Sequence, residues 1–264
     1  MYTCLNISEN KPEAMATITI SREDKRNALS PTAIRELTDA LKTYGEDPDY
    51  SVLVLTGAGN RVFSAGGDFG EFIMGTGSDS LGKCEASAWF ASLLKSIRNL
   101  NKPLVARING HALGGGFGLA SACDIVIAAE DCQFGTPEVT VGLFPWIIMP
   151  VLLAATPFRK RFLEMVMTGG KMDARTAREM GFVNHVVPRD QLDNKVNEVC
   201  GLIASRSPRL VRIGRHYFFN VLDMNYEQAL DYGVSMLAVN TGAEEATEGV
   251  TAFLEKRKPV WKSK

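Results

Sequence analysis

Two glycine-rich loops constrain this chain most. Ser64-Ala-Gly-Gly-Asp68 and Ala112-Leu-Gly-Gly-Gly116 each follow a segment that reads as a strand. Glycine leaves backbone N–H groups uncovered and permits dihedrals that other residues avoid. The second loop also opens a short helix, whose first N–H groups are free and whose dipole is positive there. Two tight turns would explain each loop singly. Two free N–H groups aimed at one point would instead form an oxyanion hole.

The flanking sequence places the loops in an α/β frame. Ala16–Ser21 alternates apolar and polar residues and reads as a strand. Ser30-Pro31 predicts a helix start, with serine as N-cap and proline first, and Ile34, Leu37 and Leu41 recur at helical spacing. Ser51–Thr56, Leu104–Ile108 and Asp124–Ala129 read as strands, and a helix is expected over Leu81–Leu100. From about Pro145 the pattern is mostly helical, with a short strand at Val183–Val187. Strands alternating with helices, then helices alone, predict an α/β body with a helical C-terminal part.

Composition and failed motifs narrow the function. The 264 residues carry a net charge of −1, which argues against a general nucleic-acid surface. The five cysteines are scattered and contain no CxxC, so neither a disulfide framework nor a zinc ribbon is expected. No apolar run approaches the ~20 residues of a membrane helix. The polar N-terminus shows no apolar signal region, and a cytoplasmic location is expected. Gly77–Cys84 nearly spells a P-loop, but Cys84 stands where a magnesium-binding hydroxyl is required. Gly114–Gly118 fails the dinucleotide fingerprint, because Leu119 or Ser121 occupies the sixth position. No GxSxG or HExxH occurs.

Further segments carry a resemblance. Lys25-Arg-Asn-Ala-Leu29, Phe63–Asp68, Asn109–Gly116, Cys123–Ala128, Phe134-Gly-Thr-Pro-Glu-Val139 and Gly142-Leu-Phe-Pro145 follow one another at spacings similar to those of the crotonase (enoyl-CoA hydratase/isomerase) superfamily. Thr168-Gly-Gly, Ala174–Val187 and Phe253–Lys258 extend the match over nearly the whole chain. The resemblance implies a spiral of strand-strand-helix units over residues 1–205 and a helical oligomerisation region over 206–264. It implies an acyl-CoA thioester as substrate, a homotrimer or a dimer of trimers, and no cofactor, since coenzyme A belongs to the substrate. Fatty acid metabolism is the setting it suggests.

By the same resemblance, Gly67 and Gly115 would supply the oxyanion-hole N–H groups and Glu138 the catalytic carboxylate. Lys25, Arg26 and Lys256, with Lys258 a weaker match, would meet the coenzyme phosphates, the C-terminal lysines from the same or a neighbouring subunit. Ala28, Ser64 and Ala65 would offer backbone atoms to adenine and pantetheine. Asp68 would touch substrate or cap a helix. One departure stands out. Family hydratases use a second glutamate on the helix after Gly-Gly-Gly, and Gly118 stands there in this chain. A second departure is Trp146-Ile-Ile-Met-Pro150, bulky where many hydratases are glycine-rich; it would wall the acyl pocket or merely start a core helix. One carboxylate suffices to move a proton between carbons, so double-bond isomerisation is expected ahead of hydration. Thioester hydrolysis, decarboxylation, dehalogenation, and an acyl-CoA or RNA binding role are the alternatives.

Overall fold

The computed structural model describes residues 2–68, 70, 71 and 80–261. The P-loop-like segment therefore lies partly outside the described residues, at 77–79. Ten strands are described: β1 (Leu5–Asn10), β2 (Met15–Ile20), β3 (Val52–Gly57), β4 (Val62–Ser64), β5 (Leu104–Ile108), β6 (His111–Leu113), β7 (Ile125–Ala129), β8 (Gln133–Gly135), β9 (Lys171–Asp173) and β10 (His185–Val187). The helices of the body are α1 (Pro31–Glu46), α2 (Ser80–Arg98), α3 (Gly115–Ala122), α4 (Met149–Ala155), α5 (Arg159–Thr168), α6 (Ala174–Glu179) and α7 (Leu192–Ala204). Three more follow: α8 (Pro208–Val221), α9 (Tyr226–Thr241) and α10 (Glu244–Leu254).

The strands form two sheets. A six-stranded sheet runs β1-β2-β3-β5-β7-β10, and a four-stranded sheet runs β4-β6-β8-β9. Apart from the antiparallel pairs β1–β2 and β8–β9, neighbours are parallel; Val54 pairs with Val105 and Ala106 with Val126. Consecutive strands thus split between sheets. β3, β5 and β7 enter the large sheet, while β4, β6 and β8 stack in the small one. That repetition is the strand-strand-helix spiral, and it stacks the loops that follow β4, β6 and β8.

Local chemistry explains the elements. The Ser30 hydroxyl accepts from Ala33 N at 3.1 Å, and α1 buries Ile34, Leu37 and Leu41 against α2 and the large sheet. β3 is buried at every position, as expected of a parallel strand covered on both faces. The observed α2 and β10 are shorter than their sequence-expected spans. β1 escapes the sequence pattern because it is an edge strand whose one buried residue is Leu5.

The C-terminal helices are pinned by a buried ion pair. Arg215 on α8 donates through Nε to Asp124 at 2.8 Å. Its other nitrogens donate to the carbonyls of Ile97, Arg98 and Leu100 at the end of α2. The guanidinium also lies over the Phe219 ring at 4.9 Å. Beyond that anchor the outer faces stay open: Val234 is 72% exposed and Phe253 81%. No described helix is long and apolar enough to cross a membrane.

Candidate active site

Three consecutive repeats deliver one residue each to the same place. Gly67 follows β4, Gly115 follows β6, and Glu138 follows β8. The loops touch. A Cβ on Gly66, whose φ is +94°, would stand 2.8 Å from Gly115 N; one on Gly115 would stand 3.4 Å from Gly67 N. Only a residue without a side chain permits the first approach.

Both donors are free. Leu29 bridges to the first loop through Leu29 N to Gly66 O and Asp68 N to Leu29 O, which passes over Gly67 N. Gly115 is the first residue of α3, where an N–H has no acceptor within the helix. Among the described residues neither Gly67 N nor Gly115 N has a backbone acceptor.

Glu138 lies in a 3-10 turn, Pro137–Val141, and is buried. Its Oε2 has no hydrogen-bond partner among the described residues. Burial pushes the carboxyl above the ordinary carboxylate range, with a backbone hydrogen bond pulling weakly the other way. The carboxyl rests on Gly114: a Cβ there would meet Oε1 at 2.9 Å. Gly67, Gly115 and Glu138 line one apolar cavity of about 310 Å³, with Phe90, Ile147 and Ile148 in its wall. Glu138 is the one ionisable side chain among the described residues lining it. Among the described residues, no group of three or more His, Cys, Asp or Glu could hold a metal.

The other residues expected at the site fall in three places. Lys25 and Arg26 are exposed on the loop before α1, where Arg26 and Asn27 are left-handed at φ +53° and +52°. Ala28, Ser64 and Ala65 meet at the junction of that loop with the first glycine loop. There Ala28 N donates to Lys25 O, Ala28 O accepts from Arg22, and Ala65 N donates to Arg26 O. The Ser64 hydroxyl donates to Asn27 O and accepts from Gly66 N. Asp68 accepts from Arg22 Nη2 at 3.1 Å and from Glu71 N, so its carboxylate is engaged inside the loop. Trp146 stacks on Phe144 at 4.6 Å and is 75% exposed, which puts it on the cavity rim. Lys256 is exposed beyond α10, and none of the described hydrogen bonds or ion pairs joins it to the cavity residues.

Sequence reasoning missed Arg22 altogether and gave Asn27 and Gly114 no role of their own, whereas Ile148 falls in the segment expected to wall the acyl pocket or start a core helix. Buried Asn27 donates to the carbonyls of Ala58 and Val62 and so holds the loop before α1. Nothing in the sequence separates Arg22 from the surface charges beside it. Gly114 was legible as glycine but not as the seat of Glu138.

The chain matches the model of the enoyl-CoA hydratase/isomerase family over residues 10–264. It is 35% identical to a hydroxycinnamoyl-CoA hydratase-lyase of Pseudomonas fluorescens, over 92% of this chain and 90% of that protein. It is 31% identical to a probable mitochondrial enoyl-CoA hydratase of Dictyostelium discoideum, over 99% and 92%. The crystal structure of human enoyl Coenzyme A hydratase domain-containing protein 3 superposes with a TM-score of 0.92 at 31% identity, over 98% of this chain and all of that one. These likenesses overturn the cytoplasmic expectation. The Dictyostelium relative, and the rat and mouse enoyl-CoA hydratase domain-containing proteins 3, are mitochondrial by name. On sequence and fold together, the chain is an enzyme of the enoyl-CoA hydratase/isomerase (crotonase) family, whose chemistry acts on acyl-CoA thioesters.

Proposed function

We propose that the protein shifts the double bond of an enoyl-CoA, with Glu138 as the single proton shuttle. The observation that carries this reading is that, among the described residues, Glu138 is the one ionisable side chain lining the cavity. The thioester carbonyl oxygen sits between Gly67 N and Gly115 N. Glu138 takes a proton from C2 of a 3-enoyl thioester. The electron pair spreads onto the carbonyl oxygen, where the two preorganised donors stabilise charge more than they stabilise the neutral carbonyl. The same carboxyl returns the proton at C4, and the double bond moves to C2–C3. Burial supports both halves of this shuttle, because it raises the carboxyl toward the pH at which it can accept and release a proton.

Lys25 and Arg26, exposed beside the glycine loop, meet the coenzyme phosphates. Lys256 does so from a neighbouring subunit. Residues 206–264 form the oligomerisation region of a trimer or a dimer of trimers, with residues 1–205 as the catalytic body. Exposed Val234, Leu237 and Phe253 on α9 and α10 support that role. Sedimentation of the purified protein at a monomer mass would overturn it.

Hydration is the second reading, and the names of the relatives favour it. The Pseudomonas protein is a hydratase-lyase, and a 33% identical Shigella flexneri protein is a carnitinyl-CoA dehydratase. The deciding experiment incubates 2-enoyl and 3-enoyl thioesters with the protein in D₂O and reads the products by mass. Isomerisation gives deuterium uptake without added water, lost in Glu138→Gln. A gain of one water shows hydration, and free thiol shows thioester hydrolysis. Full turnover by Glu138→Gln rules out the shuttle.

A further inference from the structure

Gly118 lies three residues after Gly115 on α3, about 4.5 Å further along the axis and on the same helix face. A side chain at 118 would therefore reach over the acyl carbons next to the bound carbonyl. That space is taken. A Cβ on Gly118 would stand 2.1 Å from Ile148 Cγ2 and 2.5 Å from Ile148 Cβ. Ile148 is 2% exposed and lines the same cavity as Glu138 and Gly115. Its backbone is fixed at the entry to α4, where Ile148 O accepts from Leu152 N, and its β-branch limits it to few rotamers.

We infer that Ile148 determines which reaction the cavity supports, by filling the space over the acyl carbons that an attacking water or a second acid would need. This deepens the isomerase reading and rests on it. A water needs two to four polar partners, and an isoleucine wall offers none. The face that Ile148 covers beside Gly118 therefore gives an attacking water neither room nor a polar partner, and Glu138 is left to exchange protons with carbon.

Shortening Ile148 opens that face. A water's share of liquid volume is about 30 Å³, and Ile148→Ala removes three carbon atoms beside Glu138. With water admitted, its oxygen bonds to C3 of a 2-enoyl thioester while the C2–C3 π pair moves toward C2 and the thioester oxygen. Glu138 takes the water proton and then delivers it to C2. The net change is hydroxyl on C3 and hydrogen on C2.

The test measures the ratio of hydrated to isomerised product in wild type, Ile148→Val, Ile148→Ala and the pair Gly118→Glu with Ile148→Gly. The ratio should rise about tenfold or more in Ile148→Ala, less in Ile148→Val, and most in the pair. Gly118→Glu alone should lose folded protein, and the pair should recover it. An unchanged ratio in folded Ile148→Val and Ile148→Ala overturns the inference, as does a stable Gly118→Glu with Ile148 intact. A wild type that chiefly hydrates overturns both the isomerase reading and the inference, because water then reaches the acyl carbons past Ile148, whereas a wild type that isomerises with an unchanged product ratio in folded Ile148→Val and Ile148→Ala overturns the inference alone.

Discussion

Gly114 and Glu138 are in contact across the small sheet: the Cβ that Gly114 lacks would stand 2.9 Å from Oε1 and 3.3 Å from the carboxyl carbon. Gly114 also holds φ +53° and ψ −127°, a conformation that L side chains rarely adopt. Gly114→Ala therefore strains the backbone and displaces the carboxyl together. We expect about 1–3 kcal/mol of lost stability and about a hundredfold loss in kcat, since misplacing a reacting group by an ångström costs that much. A thermal melt and steady-state kinetics on the same preparation check both parts. Unchanged kcat would show that Glu138 does not depend on this seat.

The burial that raises the Glu138 carboxyl, and that would suit it to the proposed proton transfer, costs stability. Its carboxyl holds a proton more tightly in the folded chain than in the unfolded chain. Between the ordinary carboxylate range and the raised folded value, the unfolded state has shed a proton that the folded state keeps. Stability then falls as pH rises through that window, and the loss is complete above the folded value. Glu138→Gln removes this dependence. It should melt above wild type at about pH 7.5 and level with it near about pH 4, while turning over no substrate. The kcat/KM of wild type should fall on the acid side with an apparent pKa above the ordinary carboxylate range. Equal melting of the two proteins at both pH values would sink the claim that burial raises this carboxyl.

What was legible in the sequence divides by range. The Ser30-Pro31 helix start and the buried strands β3, β5 and β7 are local patterns, each readable within a few residues. Gly67, Gly115 and Glu138 are placed by resemblance, and the spiral explains why residues 23 to 71 positions apart along the chain meet. β4, β6 and β8 were not readable as strands, because three residues are too few to show a period of two. Trp146-Ile-Ile hid a division of labour: Ile148 turns inward against Gly118 while Trp146 stays on the rim. That contact joins residues 30 apart through tertiary packing and leaves no local trace.

Arg22 joins the loop before α1 to the glycine loop after β4, the two loops proposed to bind and activate the substrate. Its guanidinium donates to Ala28 O at 2.6 Å, Asp68 Oδ2 at 3.1 Å and Glu71 Oε1 at 3.0 Å, and its side chain is mostly buried. Asp68 adjoins Gly67, and Ala28 lies two residues after Arg26. Arg22→Ala leaves Asp68 without its counter-ion, at a cost of about 2 kcal/mol for hydrogen bonds to charged groups. As a positioning residue, Arg22 should affect both loops: kcat falls through Gly67 and KM rises through the coenzyme loop. Arg22→Lys keeps the charge but not the fork, so it should rescue stability more than kcat. A variant that melts lower with both kinetic constants intact would make Arg22 purely structural.

Arg215 is the buried link between α8 and the body, beside the more exposed contacts of Arg98 with Phe219 O and Asp223 and of His216 with Asn101, and removing it should be strongly destabilising. Asp124 is buried enough that its carboxyl is raised despite Arg215 beside it. Its Oδ2 also accepts from Leu104 N, at the start of β5. Arg215→Ala leaves that carboxylate buried without its partner and strips donors from three carbonyls at the end of α2. Breaking such a pair from one side costs about 3–5 kcal/mol. Replacing both partners by apolar residues of similar size should cost less, because no charge is then left buried. Chemical denaturation of Arg215→Met, Asp124→Leu and the double variant measures this. The double variant should be more stable than Arg215→Met alone. If the two single losses simply add, the pair is not coupled, and α8 is held by its packing against Phe219 and its neighbours.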